Sequence, residues 1–217
     1  THNRGWENCF RMLEILPELI SNPGVLFAAC AFGYLAGSVP FGIIISKFLG
    51  LGDLRKVGSG NIGATNVLRT GNKLAAFLTL LFDFSKGIFA VLIVKHFFNE
   101  DAVQISALSA LAGHCFPVWL RFRGGKGVAT FLGVAIALSF TIGIICCFVW
   151  LLVALMKRMS SLASLISATS APAAAIFFGQ PKIFLLLTFL AIIVFVRHKQ
   201  NIDRIIRGVE PKIGKNQ

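Results

Sequence analysis

The sequence predicts an all-α integral membrane protein with seven transmembrane helices, its N-terminus outside and its C-terminus in the cytoplasm. Three observations lead there. Hydrophobic residues make up 56% of the 217 residues and charged residues only 14%, against about 25% charged in soluble domains. Apolar runs recur at the length of about 20 residues that a bilayer requires. The Lys and Arg residues gather in short tracts on alternate loops, which fixes orientation by the positive-inside rule. The same tracts account for the net charge of +12, so nucleic-acid binding is not expected.

Residues 1–23 form an extension outside the membrane domain. Within residues 3–22, Trp6, Phe10, Met12, Leu13, Ile15 and Leu16 are spaced for one helical face, the pattern of a helix lying on a membrane surface. Arg4 and Arg11 interrupt the segment and no small-residue cleavage site follows, so no signal peptide is expected. Residues 24–199 make up the membrane domain. The first span, 24–49, contains Gly33, Gly37 and Gly42, small residues suited to close helix packing, and Pro40, which should break or kink it.

The second span, 74–98, carries Asp83 and Lys86, three residues apart on one helix face. They read either as a buried structural pair or as a wall of a functional cavity. The third span, 102–120, is interrupted late by His114 and Pro117. The apolar run 128–156 is too long for one untilted span. A turn near Ser139-Phe140-Thr141 divides it into the fourth and fifth. The sixth and seventh cover 162–178 and 183–196, and residues 200–217 are a basic tail. Lys47, Arg55, Lys56, Arg69, Lys73, Arg121, Arg123, Lys126, Lys157, Arg158, Arg197, Lys199, Arg204, Arg207, Lys212 and Lys215 then share the cytoplasmic side, with only Lys95 and Lys182 in the opposite loops.

That orientation brings the polar motifs to one face. Gly58-Ser59-Gly60-Asn61-Ile62-Gly63-Ala64-Thr65-Asn66 is a glycine-dense loop with hydrogen-bonding side chains, preceded by Arg55 and Lys56 and followed by Arg69. Such a loop suits a phosphate or a sugar alcohol. Gly124-Gly125-Lys126-Gly127 opens the fourth helix and reads as a second anion site. It lacks the spacing of a Walker-type loop. Ser161, Ser164, His198 and Asn201 fall on the same side.

The cysteines Cys9, Cys30, Cys115, Cys146 and Cys147 show no repeated C-x-x-C spacing and read as packing residues. No metal is expected, because no cytoplasmic His/Asp/Glu cluster has ligand spacing. His96-Phe97-Phe98-Asn99-Glu100-Asp101 matches the H-x-x-x-x-D pattern of acyl-CoA-dependent glycerolipid acyltransferases. It is expected at the outer end of the second helix, away from both anion loops. A transporter of phosphorylated solutes is the other alternative, since Asp83, Lys86 and broken helices occur along transport paths. No self-similarity between halves supports it.

Six blocks, in order, resemble the bacterial acyl-phosphate:glycerol-3-phosphate acyltransferases, the PlsY type. These are Gly37-Ser38-Val39-Pro40-Phe41-Gly42; Asp53 through Arg69; Asp83-Phe84-Ser85-Lys86-Gly87; Gly113 through Thr130; Ser161-Leu162-Ala163-Ser164; and Arg197-His198-Lys199-Gln200-Asn201-Ile202. The resemblance implies a multi-pass, monomeric enzyme of the bacterial inner membrane with its site facing the cytoplasm and no cofactor. It implies acyl transfer from a fatty acyl phosphate to the 1-hydroxyl of glycerol 3-phosphate. Glycerol 3-phosphate would be held by Ser59, Asn61, Thr65, Asn66, Arg69, His198 and Asn201. Acyl phosphate would be held by Gly124, Gly125, Lys126, Gly127, Ser161 and Ser164. Lys126, Ser164 and His198 would be the catalytic residues. His198 is a candidate general base; the resemblance favours the acyl phosphate's own phosphate as proton acceptor.

Overall fold

A computed structural model describes residues 18–214. The expected surface helix over 3–22, apart from its last residues, and Lys215 lie outside that range. Among the described residues every regular element is helical. Helix α1, Pro23–Ser38, starts with Pro at its first position and the Asn22 side chain capping Val25 N–H at 3.0 Å. The chain breaks at Pro40, as the proline requires, and continues as α2, Phe41–Phe48. A short α3, Ala64–Val67, lies in the following loop. The others are α4, Lys73–Phe97; α5, Glu100–Cys115; α6, Val128–Leu138; α7, Phe140–Lys157; α8, Ser160–Phe177; α9, Phe184–Arg197; and α10, Lys199–Ile206.

The turn expected near 139–141 is present, with Ser139 in extended backbone between α6 and α7. Of the expected seven spans, five among the described residues are helical segments long and apolar enough by themselves to cross a membrane, and six if α9 and α10, bent by 66° at His198, count as one. The reason is length: the 11 residues of α6 rise about 16 Å at 1.5 Å per residue, roughly half the hydrocarbon thickness.

The glycines of α1 act through packing, as expected. A Cβ at Gly33 would overlap Ser106, and one at Gly37 would overlap the Ala110 backbone, both on α5. Close approach of this kind drives helix association in lipid, where hydrophobicity supplies no force. Replacing Gly37 with alanine should destabilise the protein by about 1–3 kcal/mol. A lowered melting temperature in detergent would show it, and unchanged melting would refute the packing role.

Asp83 and Lys86 form a buried ion pair at 2.8 Å. The Lys86 ammonium also donates to Val39 O at 2.7 Å, within the break between α1 and α2. Val39 O also accepts from Phe41 N–H at 3.1 Å, so the ammonium adds a second hydrogen bond at the broken turn, where polar groups freed in lipid must be re-satisfied. The pair therefore has the structural role.

Candidate active site

Four segments of distant sequence meet at one end of the bundle, and hydrogen bonds tie them together. In the glycine-dense loop, Asn66 is buried. Its Oδ1 accepts from Ser59 N–H at 3.0 Å and Ser59 Oγ at 3.2 Å, while its Nδ2 donates to Leu54 O at 2.9 Å. Asn66 is thus the staple of this loop, with both ends of its amide committed. Gly58, at φ +51°, leaves the room that the Arg69 side chain fills; a Cβ there would come within 2.6 Å of Arg69 Cδ. The exposed Arg69 guanidinium forms no ion pair among the described residues. Thr65 Oγ1 lies 3.4 Å from Ser160 Oγ, linking this loop to the start of α8.

The Gly124–Gly125 turn is clamped from both sides. Its two N–H groups donate to Cys115 O and His114 O, at 3.2 and 3.1 Å. Its two carbonyls accept from Arg197, Nε to Gly125 at 3.0 Å and Nη2 to Gly124 at 2.9 Å. A side chain at either glycine would overlap His114. The sequence reading made these two N–H groups anion donors, and here they are committed to carbonyls. The donors that stay open among the described residues are the Lys126 and Gly127 amides and the first turn of α6. Gly127 reaches that helix start at φ +81°.

Ser164 also differs from expectation. Its hydroxyl donates to Ser160 O at 2.7 Å and accepts from Trp150 Nε1 at 3.1 Å. With its one proton committed, it fastens α8 to α7 rather than offering a donor. Ser161 donates to Glu210 Oε1 at 2.6 Å.

Glu210 is the residue that sequence reasoning missed. It lies in the tail, which folds back so that Asn201 Nδ2 also donates to Oε1 at 2.6 Å and Arg204 Nε donates to Oε2 at 2.7 Å. Burial raises its pKa, but the hydrogen bonds from Ser161, Asn201 and Arg204 outweigh that and hold the carboxyl below its ordinary value. Its only signal in the sequence is that it is one of two acids, with Asp203, in a basic tail. Replacing Glu210 with alanine should leave Arg204 unpaired and free the tail. Lower melting and faster proteolysis of the C-terminus would show this; an unchanged digest would count against it.

Electrostatics unite the segments. Burial, helped by the cations Arg204, Arg69 and Arg197 and opposed by Glu210, pushes Lys126 down to about 8. His198 is buried, with Nδ1 at 2.8 Å from Val194 O, so the proton sits on Nδ1 and Nε2 is left as an acceptor. Burial, with Lys126 and Arg197, pushes His198 down to about 4, so it is neutral at pH 7. Asn201 Oδ1 is buried without a partner among the described residues. The face therefore offers cations and helix-end donors for anions beside two open acceptors for hydroxyl groups.

The H-x-x-x-x-D pattern forms no couple. Asp101 is the anchor of the N-terminal segment, accepting from Ile20 N, Ser21 N and Ser21 Oγ at 2.7–2.9 Å. His96 instead packs edge-on against Phe97 at 4.6 Å.

The family model described as glycerol-3-phosphate acyltransferase matches residues 27–208. The glycerol-3-phosphate acyltransferase of Jannaschia sp. (strain CCS1) is 52% identical over 201 residues, 93% of this chain and 99% of that one. That of Roseobacter denitrificans (strain ATCC 33942 / OCh 114) is 54% identical over 185 residues, 85% of this chain and 92% of its own. Among solved structures, the glycerol 3-phosphate form of PlsY (YgiH), an integral membrane glycerol 3-phosphate acyltransferase, superposes with a TM-score of 0.82 at 39% identity. It covers 87% of this chain and 96% of that one. The lysophosphatidic acid form gives 0.79 at 36% identity, with 87% and 95% covered. The chain belongs to the glycerol-3-phosphate acyltransferase (PlsY) family of integral membrane proteins.

Proposed function

We propose that this glycerol-3-phosphate acyltransferase takes its acyl group from a fatty acyl phosphate and delivers it to the sn-1 hydroxyl, giving lysophosphatidate and inorganic phosphate. The observation that carries the reading is the convergence of Arg69, Lys126, Arg197 and Arg204 beside the open acceptors of His198 and Asn201. Two anionic substrates, one bearing hydroxyls, match that set.

In this mechanism Arg69 pairs with the phosphate of glycerol 3-phosphate, with Ser59, Asn61 and Thr65 on the same loop. His198 Nε2 and Asn201 Oδ1 accept hydrogen bonds from the glycerol hydroxyls. Lys126, with its own amide and that of Gly127, holds the acyl phosphate group and offsets the charge that develops on the carbonyl oxygen. The Gly124–Gly125 turn, Ser161, Ser164 and Asn66 hold these groups in place. The sn-1 oxygen attacks the carbonyl carbon, the bond from that carbon to the phosphate oxygen breaks, and the hydroxyl proton passes to the departing phosphate. An imidazole with a pKa near 4 is a poor base at pH 7, which favours the substrate phosphate in that role.

His198→Gln tests the base assignment. Loss within about tenfold in kcat is expected, whereas a general base contributes about 10²–10⁴-fold. Counting α6 and α9 as crossings gives seven passes with the N-terminus outside and the site on the cytoplasmic face of the inner membrane, in keeping with the asymmetry of Lys and Arg. We take the enzyme to act as a monomer, as the family resemblance implies.

The deciding experiment gives the purified protein glycerol 3-phosphate with either palmitoyl phosphate or palmitoyl-CoA. Product should form with palmitoyl phosphate. Product with palmitoyl-CoA alone would overturn the proposal.

A further inference from the structure

A second basic feature lies on the loop-bearing end of the bundle and shares no residue with the groups that act on Lys126. A cavity of about 200 Å³ is lined by Arg55, Trp119, Leu120, Arg121 and Arg123. Its three arginines are exposed, and none forms an ion pair among the described residues. The nearby Asp53 caps the Arg55 N–H at 3.0 Å.

The wall of this cavity is fixed. Trp119 Nε1 donates to Ser38 O at 2.9 Å, at the end of α1. Tyr34 OH donates to Phe116 O at 2.8 Å and accepts from Val118 N–H at 3.0 Å. The turn then runs through two successive non-glycine residues in the left-handed region, Arg121 at φ +52° and Phe122 at φ +61°. L-residues avoid that region, and pairs of them are rarer than single cases. The strained turn holds Arg121 and Arg123 beside Arg55, while Val118 (52% exposed) and Phe122 (59% exposed) point apolar surface outward.

Topology alone asks for positive charge near the membrane but not for a cavity, an anchored indole or a strained backbone. Arginines matched to phosphate, next to a tryptophan at the membrane boundary and exposed aliphatic and aromatic surface, fit an interfacial lipid with an acidic head. We propose that this cavity binds the phosphate headgroup of an anionic glycerophospholipid of the surrounding leaflet, separately from the acyl-transfer site. Its acyl chains would pass Val118 and Phe122 into the bilayer.

The test uses the full chain in neutral detergent, titrated with phosphatidylglycerol, with bound lipid read by native mass spectrometry. Replacing Arg55, Arg121 and Arg123 together with glutamine should raise the apparent Kd at least about tenfold. The charge-matched control, Lys199, Arg207 and Lys212 to glutamine, should change it less than about twofold. Arg123→Glu alone gives a second variant should the triple one fail to fold, and it should weaken binding in the same direction. Inorganic phosphate should not displace the lipid. Equal losses in the control would reduce the effect to diffuse charge, unchanged binding in the arginine variants would remove the site, and displacement by inorganic phosphate would make it a free-phosphate site. Each of those results overturns the proposal.

Discussion

Arg69→Ala should lower kcat/KM for glycerol 3-phosphate about 30- to 100-fold, chiefly through KM. A bidentate guanidinium–phosphate pair is charge-assisted and contributes about 2–3 kcal/mol, and each 1.4 kcal/mol is a factor of about ten. Because Arg69 is exposed and unpaired among the described residues, its removal leaves no buried partner stranded. Melting should therefore stay near that of the native protein, which separates a binding role from a structural one. Arg69→Lys should restore only part of the loss, since an ammonium cannot supply the fork. A KM unchanged in the alanine variant would remove Arg69 from the phosphate subsite.

Lys126→Met should reduce kcat by about 10²–10³-fold, the usual effect of removing one donor from a developing oxyanion. The pH dependence gives an independent reading. Lys126 has its pKa lowered to about 8, so the ammonium is present below pH 8 and is lost as pH rises through that value. The rate should fall above pH 8. Lys126→Arg keeps its charge there, so whatever activity it retains should lack this alkaline limb. His198, neutral from about pH 5 upward, should contribute no limb near pH 6.5. A native rate that stays flat past pH 9 would show that the charge on Lys126 does not matter to the reaction.

Much of the candidate site was legible in the sequence because its residues cluster into short polar islands between apolar runs. Arg69, Lys126, His198 and Asn201 stood out by type and by the side of the membrane their charge tracts implied. Asn66, Ser164, Gly124 and Gly125 were legible as members of the same islands, but their individual parts were not. What an amide or hydroxyl does depends on which neighbours take its protons and lone pairs, and Leu54, Trp150, His114 and Cys115 take them here. Glu210 was not legible at all. Its partners lie at 161, 201 and 204, and no spacing rule joins an acid in the tail to a serine 49 residues earlier.

The sequence by itself determined the all-helical membrane architecture, the break at Pro40, the division near Ser139 and the packing role of the α1 glycines. Those follow from hydropathy and local backbone chemistry, which act over a few residues and need no knowledge of the fold. Tertiary structure decided how many helices are long enough to cross and which polar groups remain open to a ligand. It also decided that the glycine-dense loop, the turn before α6, the start of α8 and the folded-back tail form one face. A hydrogen bond between Thr65 and Ser160 or between Arg197 and Gly125 depends on helix lengths and crossing angles across the whole bundle. That geometry is set by packing, where a missing Cβ at Gly37 or Gly33 matters more than any motif.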